Sequence, residues 1–125
     1  MLRVLLTLSR IYLELATGGG KSYIIYKILA IVKPKTIVIF SPRININKQN
    51  SSEKYLSILD NEYLVFNCSV DKDFETFKKE CDLLNKRVMI IACSQGSNKK
   101  VYKIIYKHNL SDIFIWYDEA HYTVE

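Results

Sequence analysis

The sequence predicts an α/β protein, a parallel sheet with helices on both faces. Three observations carry that expectation. Apolar runs of strand length alternate with longer segments whose apolar residues recur at helical spacing, and the alternation repeats along the chain. A glycine-rich stretch, Ala16-Thr17-Gly18-Gly19-Gly20-Lys21-Ser22, stands between a short apolar run and a helical segment. A carboxylate pair, Asp118-Glu119, directly follows another apolar run.

Taken in order, residues 11–15 form a short apolar run that ends at the glycines. Residues 21–32 carry Ile24, Ile25, Ile28, Leu29 and Val32 at helical spacing, and Pro34 stops them. Residues 36–40 are β-branched or apolar throughout, as a buried parallel strand should be. Ser51-Ser52-Glu53 caps a helix running to about Leu59, with Tyr55, Leu56 and Leu59 inward. Residues 63–66 are the next strand. Asp71 or Asp73 then opens a helix that places Phe74, Phe77, Cys81 and Leu84 on one face. Residues 88–92 form a strand, 101–106 lie in a helix, and 113–117 are the last strand. The right-handed crossover rule brings the carboxyl ends of the strands to one edge of the sheet, where ligands bind in such folds. Both the glycines and Asp118-Glu119 lie just past strand ends.

The bulk properties bound the answer. A chain of 125 residues is one domain at most, and 49% hydrophobic with 25% charged residues excludes wholesale disorder. The net charge of +5 and pI near 9.1 suit a polyanionic partner, though many basic proteins bind none. The lean towards Lys, Ile, Asn and Tyr reads as an AT-rich genome. Three cysteines, Cys68, Cys81 and Cys93, have no metal-ligand spacing and sit beside apolar residues, as reduced buried thiols do. No stretch reaches the roughly 18 apolar residues that span a bilayer, and the apolar opening lacks a cleavage site. The expectation is an intracellular chain away from membranes, in cytoplasm, nucleus or a viral replication compartment.

Two segments carry chemistry. Glycines between strand and helix let the backbone wrap a phosphate chain, and the helix N-terminus adds partial positive charge. Lys21 would reach the β and γ phosphates of ATP and the Ser22 hydroxyl would ligate Mg²⁺. The strict pattern asks for glycine where Leu15 stands, and the plain alternative is a turn joining strand to helix. In the second segment, Asp118 would hold Mg²⁺ and Glu119 would orient the water that attacks the γ phosphate. A lone Asp-Glu pair is more often a solvated turn. This one follows an apolar strand and lies about a hundred residues after a phosphate loop, and the combination is far more specific than either part.

Ala-Thr-Gly-Gly-Gly-Lys-Ser and Asp-Glu-Ala-His resemble motifs I and II of superfamily 2 DEAD/DEAH-box helicases, whose loop commonly reads Ala-Thr-Gly-x-Gly-Lys-Thr/Ser. The spelling is closest to the DEAH-type and restriction-translocase-like branches. Residues 37–43, ending Ser41-Pro42-Arg43 with Gln49 beyond, are similar to motif Ia, and Ile90-Ile91-Ala92-Cys93-Ser94-Gln95 resembles the strand and loop that contact nucleic acid further along. The resemblance runs from about residue 11 to His121. It implies a RecA-like P-loop NTPase domain with Thr17, Gly18, Gly19, Gly20, Lys21 and Ser22 around ATP, and Ser22 and Asp118 on Mg²⁺. It also implies Glu119 in hydrolysis, His121 coupling the nucleotide to nucleic acid, and Pro42, Arg43, Gln49, Ser94 and Gln95 on a DNA or RNA backbone. Lys48, Lys99, Lys100 and Lys103 are further candidates for phosphate contacts, or equally a solvated face. The Tyr and Phe residues are expected in the core.

The sequence departs from the family pattern in two ways. No glutamine precedes Ala16, although many members carry an adenine-recognising one there. The family's next strand, with its Ser-Ala-Thr-like motif, inserts between the strands leading to motifs I and II. Without it, residues 1–125 form a partial first domain, incomplete after the motif II strand, with a gap in the sheet and no second helicase domain. Three readings compete: part of an ATP-driven helicase or translocase, a non-motor remnant that binds nucleotide or nucleic acid, and some other P-loop enzyme such as a kinase. The third is weakest, because a kinase needs no Asp-Glu-Ala-His.

Overall fold

Residues 2–6, 9–13, 20–41, 53–93 and 98–118 are described by the computed structural model, with side chains over 24–40, 54–93 and 99–116. The alternating pattern gives β1 (Leu2–Leu6), β2 (Ser9–Leu13), α1 (Gly20–Val32), β3 (Thr36–Ser41) and α2 (Glu53–Ile58). It continues with β4 (Tyr63–Asn67), α3 (Phe74–Leu84), β5 (Arg87–Cys93), α4 (Asn98–Lys107) and β6 (Ile113–Asp118).

The strands form one sheet in the order β2-β1-β6-β3-β5-β4. The four strands β6, β3, β5 and β4 are mutually parallel, as the sequence predicts, and helices alternate with them. This is the arrangement of a RecA-like domain. β1 departs from expectation: it is antiparallel to both β2 and β6. The sequence marks the opening residues only as an apolar stretch and predicts a gap beside the Asp118 strand. Instead, residues 2–6 occupy that place and pair on both sides, which satisfies backbone groups that a gap would leave without partners.

Strand alternation sorts the core into two faces. Ile37 and Ile39 of β3, Met89 and Ile91 of β5 and Phe114 and Trp116 of β6 pack under α1 and α2 with Ile25, Tyr26, Leu29, Tyr55 and Leu59. Val38, Phe40, Val88, Ile90 and Ala92 face the other way, under Phe74 and Cys81 of α3 and Val101 and Ile104 of α4. Burying each large apolar side chain contributes about 1.5–3 kcal/mol relative to exposure. The helix phases differ in detail from the sequence reading. Tyr26 is fully buried, whereas Ile24 and Val32 are each 42% exposed. Ile24 precedes Ile25 by about 100° of helix rotation, which carries it to the flank of the buried arc. Leu84 is 54% exposed, because α3 ends there: Asn85 turns left-handed at φ 56° and caps it.

At its other end α3 is opened by Asp73 rather than Asp71. The Asp73 carboxylate accepts from the Thr76 N–H at 3.1 Å and from the Thr76 hydroxyl at 2.6 Å. Those bonds hold its pKa below the ordinary carboxylate value.

Below the sheet, at the amino ends of the parallel strands, Tyr63 and Arg87 donate to the Pro34 carbonyl, and Arg87 also donates to that of Lys33. Burial, partly offset by Arg87, pushes the Tyr63 phenol up to about 12. These bonds fasten the α1–β3 turn and leave the opposite edge as the one where the sequence motifs gather.

Candidate functional site

The site is built from strand ends. β2 runs towards residue 13 and β6 towards Asp118, and both are antiparallel to β1, so they point the same way. Leu2 is the register partner of Leu13 on one side and of Asp118 on the other. Leu13, Leu2 and Asp118 therefore stand in one row across the sheet. With neighbouring strands about 4.8 Å apart, the end of β2 and Asp118 are about 10 Å apart.

The chain then leads from β2 into α1, whose first turn is Gly20-Lys21-Ser22. The first four backbone N–H groups of a helix have no partner within it, so this turn offers donors and partial positive charge. No acidic residue stands in that turn to compete for them.

The remaining motif strands end on the same edge. Phe40 pairs with Tyr117 and with Ala92, and Ser41 with Cys93, so β3, β5 and β6 finish level. Residues 42–43 follow directly from β3, and residues 94–95 from β5. Thus Gly20, Lys21, Ser22 and Asp118 are placed by backbone at one edge, on α1 and β6. Ala16, Thr17, Gly18, Gly19, Pro42, Arg43, Gln49, Ser94, Gln95, Glu119 and His121 lie outside the described residues.

One contact fastens the two halves of this arrangement. Tyr26, four residues after Ser22 on α1, stacks on Tyr55 with ring centroids 4.9 Å apart and planes at 15°. It also meets Trp116, two residues before Asp118 on β6, edge-on at 6.1 Å and 81°. Both rings are buried, which raises the Tyr26 pKa well above that of an ordinary phenol. The Trp116 indole N–H finds no acceptor among the described residues.

A family model for the type III restriction enzyme, res subunit, matches residues 6–125. The chain belongs to this family. The matched region is a superfamily 2 helicase N-terminal ATP-binding domain, and of the two branches suggested by the motif spelling the restriction one is matched. Membership implies ATP use and nucleic-acid binding. No curated protein and no solved structure matched.

Other sequence expectations can be placed. Cys68 and Cys81 are free and buried, and burial pushes both thiols up to about 11, the signature of inert packing groups. Among the described residues no group of three His, Cys, Asp or Glu could hold a metal ion, and no helix is long and apolar enough to cross a membrane. Lys100 does not belong to an open basic face, because its ammonium donates to the Cys68 carbonyl at 3.1 Å and that of Asp71 at 3.3 Å. Lys99 and Lys103 are exposed on α4. Two features escaped the sequence reading. One is β1, whose pairing with β6 is a contact between opposite ends of the chain. The other is the exposure of Tyr102 and Tyr106, which helical spacing alone assigns to the core.

Proposed function

We propose that this res-subunit domain couples ATP hydrolysis to movement on nucleic acid, as the ATP-binding part of a helicase or translocase. The single observation that supports this most is the row Leu13–Leu2–Asp118. It brings the strand that feeds the glycine loop and the strand that ends in the Asp-Glu pair to one edge, one strand apart. With about 10 Å between the end of β2 and Asp118, the two strand ends leave room for a triphosphate.

In this reading Thr17, Gly18, Gly19, Gly20 and Lys21 cradle the phosphates, and Lys21 takes the β and γ groups. Ser22 and Asp118 would hold Mg²⁺, and a hydroxyl with a carboxylate is the hard oxygen donor set that this ion prefers. Held there, Mg²⁺ would neutralise charge on the phosphate oxygens. Glu119 orients the attacking water, and His121 links the nucleotide to the nucleic-acid side. Pro42, Arg43, Gln49, Ser94 and Gln95, which come after β3 and β5 in the sequence, contact the backbone of DNA or RNA. The Asp-Glu-Ala-His spelling assigns the carboxylate roles by family pattern, and the shared edge makes them compatible.

A second reading, nucleotide binding without useful hydrolysis, has β1 in its favour. With residues 2–6 in place, the ladder from β2 to β4 is continuous.

The test is ATP hydrolysis measured with and without single-stranded DNA and RNA, in the longest natural protein that contains this chain. Stimulation by either polymer is the expected result. Hydrolysis that ignores both would refute the motor, and retained binding with no hydrolysis in either condition would favour the second reading.

A further inference from the structure

Helix α4 carries two kinds of surface. Val101 and Ile104 are buried against the sheet, and Ile105 packs beside them. The outward face is Lys99, Tyr102, Lys103, Tyr106 and Lys107, every one exposed, and among the described residues these five line one surface hollow. Tyr106 is 86% exposed, while Tyr102 leans on Phe40 with ring centroids 6.4 Å apart and remains 41% exposed. Lys99, Lys103 and Lys107 form a ridge, because the same three also line the neighbouring hollow over the start of α3.

This arrangement works against the helix. Lys99 stands in the first turn, where the helix dipole favours anions, and α4 has no acidic residue there. Like charges at i, i+4 repel, and the ridge repeats that spacing twice. Among the described residues no carboxylate pairs with Lys99, Lys103 or Lys107. Asp73 and Glu75 reach the second hollow, but Asp73 is engaged by Thr76. An unpaired cationic ridge flanked by exposed aromatic rings is complementary to a strand that offers both phosphates and bare base faces.

We infer that the outer face of α4 is a track for single-stranded nucleic acid. The helix starts where β5 ends, at the edge shared with Asp118, and runs back along the flank of the sheet. Successive lysines of the ridge rise about 6 Å along the axis, within reach of successive backbone phosphates. Tyr102 and Tyr106, one turn apart, take bases by stacking. The track deepens the motor reading and rests on it for the class of polymer. It adds single-strand selectivity and a path leaving the ATP-binding edge.

Fluorescence anisotropy of a fluorescein-labelled oligothymidylate about 20 nucleotides long tests it, on the full chain across a salt series. Tyr106→Ala, which removes an exposed ring, is expected to weaken binding about tenfold. It should leave affinity for the matching duplex unchanged. Lys99→Ala/Lys103→Ala/Lys107→Ala should lower the slope of log affinity against log salt by about 2 for a single strand. Tyr102→Ala is a secondary variant, to be read only where circular dichroism matches the parent.

Wild-type binding by both the Tyr106 and triple-lysine variants overturns the track. So does a Tyr106 effect that is equal for duplex and single strand, or a triple-lysine effect seen on phosphatidylserine vesicles and not on the oligonucleotide. A fluorescent ATP analogue titrated into the same proteins separates the two claims. Unchanged oligonucleotide binding with intact nucleotide binding sinks the track alone. A Lys21→Ala variant that still binds the analogue sinks the nucleotide site, and the track then stands or falls on its own titration.

Discussion

Replacing Tyr26 tests whether α1 is locked onto the strand that ends at Asp118. The ring is fully buried and touches Tyr55 and Trp116 at 4.9 and 6.1 Å. Truncating a buried aromatic residue to alanine costs about 3–5 kcal/mol. Each aromatic pair accounts for about 0.5–1.5 kcal/mol beyond area burial, so the two contacts contribute about 1–3 kcal/mol of that loss. Against a typical domain stability of about 5–15 kcal/mol, Tyr26→Ala should leave a marginal fold. Tyr26→Phe keeps both ring contacts and should cost less than about 1.5 kcal/mol. Urea unfolding followed by the emission of Trp116, the single tryptophan of the sequence, reads both variants. Lys21 and Ser22 lie one to two turns upstream on the same helix, so Tyr26→Ala should also weaken nucleotide binding. Leu83→Ala, at an 86% exposed position, should change neither. A Tyr26→Ala variant within about 0.5 kcal/mol of the parent, the range of ordinary surface changes, would refute the packing of α1 against β6.

Three further outcomes are expected. Val4→Pro removes the donor of a residue paired to both Ile11 and Trp116 and should cost at least the about 1–3 kcal/mol of an unsatisfied buried group, with loss of nucleotide binding; a wild-type melting curve would show that β1 does not occupy the sheet. Stability should fall from about pH 9 to about pH 11, because Cys68 and Cys81 have folded pKa values raised from 9.0 to about 11. Their contribution is fully present below the unfolded value and is lost as pH rises through the folded one. Asp73, depressed when folded, acts at the other end and withdraws support as pH drops through its folded value; a urea midpoint flat across the alkaline range would contradict the burial of the thiols. Glu119→Gln should retain ATP binding and stop hydrolysis in the nucleic-acid-stimulated assay, and normal turnover by that variant would remove Glu119 from its role.

The strands and helices were legible where local pattern decides them. Residues 36–40 are β-branched or apolar throughout, and the structure forms β3 there with Val38 and Ile39 buried on opposite faces. Helix α3 was announced by its cap and by Phe74 and Cys81 one turn-pair apart. The site was legible as two segments, Ala16–Ser22 and Asp118-Glu119, and the strand directions could be inferred from the crossover rule. The place of β1 was not legible. Leu2-Arg3-Val4-Leu5-Leu6 carries no sign of its partner, because its ladder forms with residues 115–118 and such pairing is set by tertiary packing. Tyr26 against Ile24, and Tyr106 against Val101, differ by the phase of a helix on its sheet. Periodicity gives the width of an apolar arc but not where a wide arc of Ile and Tyr is cut off by neighbours.

The measurement that bears most directly on the central claim is ATP titration of the wild-type chain and of Lys21→Ala, with Mg²⁺ present, by isothermal calorimetry. Saturable binding by the wild type, abolished by Lys21→Ala in a protein with unchanged circular dichroism, is the expected result. Equal affinity in the two proteins would contradict a nucleotide site at the edge shared by α1 and Asp118.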